Sequence, residues 1–167
     1  METEDANSPL EPRPPTLQDL LLLCRSLNQA GAKYIVIGGW AVIHHGSDRT
    51  TSDIDLLVED SPENFQKLQE GMLALPDGAI REVAPDDLGK YVVVRVGDEF
   101  VVDLLKRSCG IEYAEASQFI LPVQVDDVAI PFANLELLWK TKQTVREKDQ
   151  LDRTFLAELL RKAGKSV

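Results

Sequence analysis

Apolar positions along the chain fall into short runs of two periods, separated by turn chemistry. Leu17, Leu20, Leu21, Leu23, Cys24 and Leu27 recur at helical spacing. With Thr16 as N-cap and Gly31 as a stop, they predict a helix over residues 16–31. Tyr34–Ile37 reads as a short buried strand, Gly38-Gly39 as a turn, and Trp40–His45 as a short helix. Asp53–Val58 begins with strict alternation and reads as a second strand. Ser61-Pro62-Glu63 is a helix start, with an N-cap, a first-position proline and an early acid. Phe65, Leu68, Met72 and Leu75 supply the apolar stripe of that helix. A strand is expected over Ala79–Val83, and a hairpin from Tyr91–Val96 and Glu99–Leu105 around Gly97-Asp98. Val123–Val125 and Val128–Ile130 are weaker strand signals. Asn134 is placed to cap a helix through Leu135, Leu137, Leu138 and Trp139, and a last helix is expected from about Asp149 to Ala163. The sum is an α+β layout, a mixed sheet with helices packed against it.

The 167 residues suffice for one domain with a real core. Residues 1–15 carry four prolines and no apolar periodicity, which predicts a flexible acidic tail. The core is expected over residues 16–133 and a packed helical segment over 134–167. No run approaches the roughly 18 apolar residues of a membrane span, and the acidic start is unlike a secretory signal. Two cysteines, Cys24 and Cys109, make no disulfide framework. A cytoplasmic protein with no membrane partner is the expectation. The net charge of −10 argues against broad, non-specific nucleic-acid binding. The C-terminal stretch from Lys140 to Lys165 is nevertheless basic, which suits either a polyphosphate ligand or a solvated helix surface.

Asp53 and Asp55 change the picture most. Residues i and i+2 of a strand share a face, so both carboxylates project together while Ile54 turns into the core. Two anions so placed repel unless a cation lies between them, and hard carboxylate oxygens suit magnesium. Asp103 interrupts the apolar strand Phe100–Leu105, where an unpaired buried carboxylate would be costly. It is the candidate third acid, with Glu99 a rival beside the hairpin turn. Gly38 and Gly39 allow backbone to approach a phosphate closely. Arg49 is placed to meet phosphate or to brace an aspartate, and Thr51 shares the face of Asp53 if the strand starts early. His44 and His45 lack a further histidine for zinc and read as structural.

Taken together, Gly38-Gly39, His45-Gly46 and Arg49-Thr50-Thr51-Ser52-Asp53-Ile54-Asp55 resemble the signature of the nucleotidyltransferase-fold superfamily, the polymerase-beta-like enzymes. Within it the pattern is similar to the small toxin-type nucleotidyltransferases of bacterial toxin–antitoxin systems. Arg146, Lys148, Asp149 and Asp152 fill a later Arg-x-Lys-Asp-x-x-Asp pattern, and Lys140 or Lys142 supplies the lysine that precedes it. One departure is Gly39, which stands where many relatives carry a phosphate-touching serine. The resemblance implies a nucleotidyltransferase-like mixed sheet with C-terminal helices. It implies two Mg2+ ions, or Mn2+, on Asp53, Asp55 and Asp103. It also implies a nucleoside triphosphate gripped by Gly38, Gly39, Arg49, Thr51, Lys140 or Lys142, Arg146 and Lys148. The implied acceptor is a hydroxyl of RNA, of a protein or of a small molecule, and an antitoxin partner would follow from the toxin likeness. The alternative is a non-catalytic module of the same fold that binds nucleotide or a protein. Asp103 discriminates: turned away from Asp53 and Asp55, it would favour the module.

Overall fold

A computed structural model describes residues 11–167 of the chain. Most of the expected tail lies outside the described residues. Within it, Arg13 forks onto Asp19 at 2.5 and 2.9 Å and reaches Glu99 at 3.2 Å. Helix α1 spans Leu17–Ala30 and opens with a reciprocal capping box between Thr16 and Asp19. It closes on Gly31 in the left-handed region. Strand β1, Tyr34–Ile37, is buried throughout. Helix α2 begins at the glycines themselves, Gly38–His44, so the pair forms the first turn of a helix rather than a turn before one. Strand β2 is Asp53–Val58, and α3, Pro62–Met72, is capped by Ser61 as its sequence predicts.

Ala79–Glu82 forms a 3-10 turn, not the expected strand. Its start is pinned by Asp98, whose buried carboxylate accepts from the Asp77 and Ala79 amides at 2.9 and 3.0 Å. Those amides are thereby withdrawn from any ladder. A short helix α4, Asp87–Lys90, precedes the expected hairpin, β3 Val94–Gly97 and β4 Val101–Leu105. A small ribbon follows, β5 Arg107–Ser108 and β6 Ile111–Glu112, then helix α5, Tyr113–Ala116. The two weak strand signals become full six-residue strands, β7 Ile120–Val125 and β8 Val128–Ala133. Helices α6, Leu135–Thr141, and α7, Glu147–Lys162, complete the chain, with Asn134 capping α6.

Six strands form one sheet in the order β3-β4-β2-β1-β8-β7. It is mixed: β2 runs parallel to β4 and β1 parallel to β8, while β1–β2, β3–β4 and β7–β8 are antiparallel. The α+β class is therefore as expected. Ile54, Leu56 and Val58 on one face of β2, and Val102 and Leu104 of β4, are fully or almost fully buried in the core. The opposite face of β2 is apolar only at the far end, at Leu57. Its near end carries the aspartates. Gly71 of α3 lets α1 pack closely, since a Cβ there would lie 2.8 Å from the Leu27 side chain. No helix among the described residues is long and apolar enough to cross a membrane.

Candidate active site

Register brings the three carboxylates together. Asp55 of β2 pairs directly with Asp103 of β4, and Asp53 lies two residues back on the same face. One oxygen from each lies within 4.8 Å of the others. They stand in an open cleft of about 520 Å³, whose walls include Gly38, Arg95, Arg107, Lys142, Arg146 and Lys148.

The environments of the three differ. Asp103 is buried yet charge-compensated: Arg95 of β3, opposite it in the hairpin, donates from Nε and Nη2 to its two oxygens, both at 3.0 Å. The same Nη2 approaches Asp53 at 3.5 Å. Asp55 pairs with no cation among the described residues. Burial first, then the charges of Asp53 and Asp103, push its carboxyl up to about 7. Asp53 is also raised, by burial and by Asp103, with Lys148 and Arg95 working the other way.

The two glycines have separate jobs. Gly38 has φ +68°, and a Cβ on it would lie 2.1 Å from Asp55 Oδ2. It is glycine because Asp55 occupies that space. A Cβ on Gly39 would meet the Thr51 side chain at 2.6 Å. Gly39 and Thr51 thus pack against each other beneath the cleft, and Thr51 Oγ1 donates to the Asp53 carbonyl at 3.2 Å. Strand β2 starts at Asp53, so Thr51 does not share the aspartate face.

Arg49 faces inward. It donates to Asp152 at 2.5 Å, an aspartate brace to α7 rather than a cleft contact. Lys142 completes that network: its nearly buried ammonium lies 2.9 Å from Asp152 and 3.2 Å from Asp149. Thr144 donates to the second oxygen of Asp149 at 2.5 Å. Asp149 is held below its usual range; burial works against this, but Thr144 and Lys142 outweigh it. Arg153 donates to the Lys142 and Thr144 carbonyls, fixing the loop between α6 and α7. Lys142 therefore lines the cleft in a fixed position. Lys140 points elsewhere, its ammonium 4.6 Å over the Phe119 ring. Arg146 and Lys148 stand exposed at the cleft rim. His44 stacks on Phe132 with centroids 4.3 Å apart, and His45 Nε2 meets the Ala133 carbonyl at 3.0 Å, so both are structural.

Of the residues singled out by sequence, Asp53, Asp55, Asp103, Gly38, Lys142, Arg146 and Lys148 meet in one cleft. Gly39, Arg49 and Thr51 support it from behind, and Lys140 lies away from it. Sequence reasoning missed Arg95 and Arg107. Arg95 had a partial signal, a single charge between Val94 and Val96, but a turn at Gly97-Asp98 would set it opposite Phe100; the observed loop at 98–100 sets it opposite Asp103.

The mixed sheet and its acidic cleft define an α+β architecture with a carboxylate triad able to hold a divalent metal. Among solved structures the chain is similar to a putative nucleotidyltransferase from Thermotoga maritima, at TM-score 0.51 and 15% identity. The likeness covers 88% of this chain and 91% of that one, and at such identity it speaks for the fold. Comparison by sequence gives no matching family model and no matching curated protein.

Proposed function

We propose that this protein is a metal-dependent nucleotidyltransferase that moves a nucleoside monophosphate from a nucleoside triphosphate onto a hydroxyl acceptor. The observation that carries the reading is the convergence of Asp53, Asp55 and Asp103 from two neighbouring strands at the wall of a cation-lined cleft. Three hard oxygen donors within 4.8 Å, one of them without a cation of its own, fit magnesium or manganese. Two such ions, held by Asp53, Asp55 and Asp103, would neutralise triphosphate charge and favour in-line displacement.

The chain's own residues supply the rest. Gly38 leaves bare backbone beside Asp55, where a phosphate can approach closely. Lys142, held by Asp149 and Asp152, presents a fixed charge, and Arg146 and Lys148 grip the triphosphate at the rim. Asp103 accepts the acceptor's hydroxyl proton as the oxygen bonds to the α-phosphorus. The bond from that phosphorus to the bridging oxygen breaks, and pyrophosphate leaves. A toxin role, with an RNA 3′ end or a protein as acceptor and an antitoxin as partner, is the extension that the small-toxin resemblance carries. A small-molecule acceptor fits the same chemistry. The non-catalytic alternative needs no convergent triad, and the orientation of Asp103 does not favour it.

The test is transfer of α-phosphate label from each of the four ribonucleoside triphosphates, with Mg2+ or Mn2+, to pools of RNA, protein and small hydroxylated molecules. Transfer by the wild type, lost in Asp53→Ala and Asp55→Ala, is the expected result. Absence of binding and turnover with every triphosphate would overturn the reading.

A further inference from the structure

We propose that Arg95 is the triad's resident counter-ion, occupying the carboxylates that metal must take and exchanging with it. The inference rests on the metal-site reading above and assigns a role to a residue outside the motifs read from the sequence.

Three distances define the contact. Nε and Nη2 reach the two oxygens of Asp103 at 3.0 Å each, and Nη2 leans toward Asp53 at 3.5 Å. Both oxygens of one triad member are thus engaged by a planar fork, the geometry in which a guanidinium binds carboxylate best. A cation that binds Asp103 meets the charge of Arg95 beside it and competes with it for the carboxylate's lone pairs. The guanidinium does not shed its proton, so it leaves only by moving.

The structure permits that movement. The Arg95 side chain is 64% exposed, and its only acidic partners among the described residues are Asp103 and Asp53. Its backbone stays fixed, because Val94 and Val96 on either side are buried. Lys142, at 8% side-chain exposure between Asp149 and Asp152, is the contrasting case of a cation built in permanently. A displaced Arg95 remains in the same cleft, available to an incoming phosphate. Metal binding would therefore precede and unmask this contact.

The test measures Mn2+ binding to the full chain by depletion of the free-ion electron paramagnetic resonance signal, alongside thermal melts in chelator. The proteins are wild type, Arg95→Met, Arg95→Gln and, as control, Asp103→Asn, each checked for folding by circular dichroism. Arg95→Met and Arg95→Gln are expected to bind Mn2+ roughly tenfold more tightly than wild type. They should also melt lower in chelator, with the gap closing as Mn2+ saturates. Equal affinity in wild type and both variants would overturn the exchange and leave the metal site standing. Weaker binding in the variants would overturn it too, making Arg95 a support of the site. If no protein, wild type included, binds Mn2+, the metal-site reading itself has failed and the exchange with it. Should Arg95→Met not fold, Arg95→Gln and Arg95→Lys carry the comparison. The lysine keeps the charge without the fork, so its affinity should lie between wild type and Arg95→Gln.

Discussion

Replacing Gly38 with alanine perturbs the site without removing any charge. Its φ of +68° costs an L-residue about 1 kcal/mol. The added Cβ would sit 2.1 Å from Asp55 Oδ2 and 2.9 Å from Asp55 Cβ and Cγ. The oxygen can rotate away, but the Asp55 Cβ cannot: its residue is registered between Ile37 of β1 and Asp103 of β4. Either β2 or the start of α2 must shift, an overpacking cost of about 1–3 kcal/mol. The total expected loss is about 2–4 kcal/mol, with Mn2+ affinity reduced at least about tenfold as Asp55 leaves the triad. Gly97→Ala is the matched control. Gly97 is not in the left-handed region, a Cβ there meets nothing within 4 Å, and glycine inside a strand is itself unfavourable by about 0.5–1 kcal/mol. It should stay within about 1 kcal/mol of wild type and keep its metal affinity. Urea denaturation followed by tryptophan fluorescence, with Mn2+ titration of each folded protein, separates the two. A Gly38→Ala protein matching wild type in both would refute the close-approach reasoning.

The remaining expectations concern charge. Asp55 rises from 3.8 to about 7 on folding, so the native state holds the proton more tightly than the unfolded chain. In chelator its contribution to stability is present below about pH 4 and lost as pH climbs through 4 to 7, at most about 4 kcal/mol. Melts at pH 5 and 8 should show the fall, Asp55→Asn should flatten it, and saturating Mg2+ should offset it at pH 8; a pH-independent wild type would count against the buried, unpaired carboxylate. Lys142→Met leaves Asp149 buried without its cation, and Asp152 with Arg49 alone, and should cost about 3 kcal/mol in urea denaturation. Lys140→Ala removes only a contact with Phe119 and should cost under about 1 kcal/mol, with nucleotide binding unchanged by calorimetry.

Local chemistry made the elements legible. Thr16, Ser61 with Pro62, and Asn134 each name a helix start, and Thr16, Ser61 and Asn134 each cap one. The β3–β4 hairpin was legible too, although Gly97 pairs within β3 and the loop falls at 98–100, and it carries Asp103 to the triad. The failures are tertiary. Ala79–Val83 has the apolar content of a strand, but Asp98, some twenty residues on, claims its first amide. Arg49 and Thr51 sit beside the aspartates in sequence yet turn beneath them, because the loop before β2 packs on Gly39 and α7. Lys140 and Lys142 were indistinguishable by spacing. Only the docking of α7, with Asp149 and Asp152 one turn apart on its inner face, selects Lys142.

The same docking bears on how a chain of net charge −10 could present the proposed triphosphate site. Three of the cleft's five cations are already engaged: Arg95 with Asp103 and Asp53, Lys142 with Asp149 and Asp152, and Arg107 with Glu112. Among the described residues only Arg146 and Lys148 line the cleft without an acidic partner, and both are exposed and screened. Set against Asp55 and a partly compensated Asp53, two solvated charges give a triphosphate little reason to enter. Neutralising the triad reverses that balance twice over. It removes the anions facing the phosphates, and it frees Arg95 from the carboxylates it holds. The overall acidity of the chain is then no obstacle, because the field that a ligand meets is set by the charges lining the cleft rather than by the net charge. The pairing of a fixed lysine with a displaceable arginine follows from where each sits: one walled in by α7, the other on the edge strand β3, where only its backbone is held.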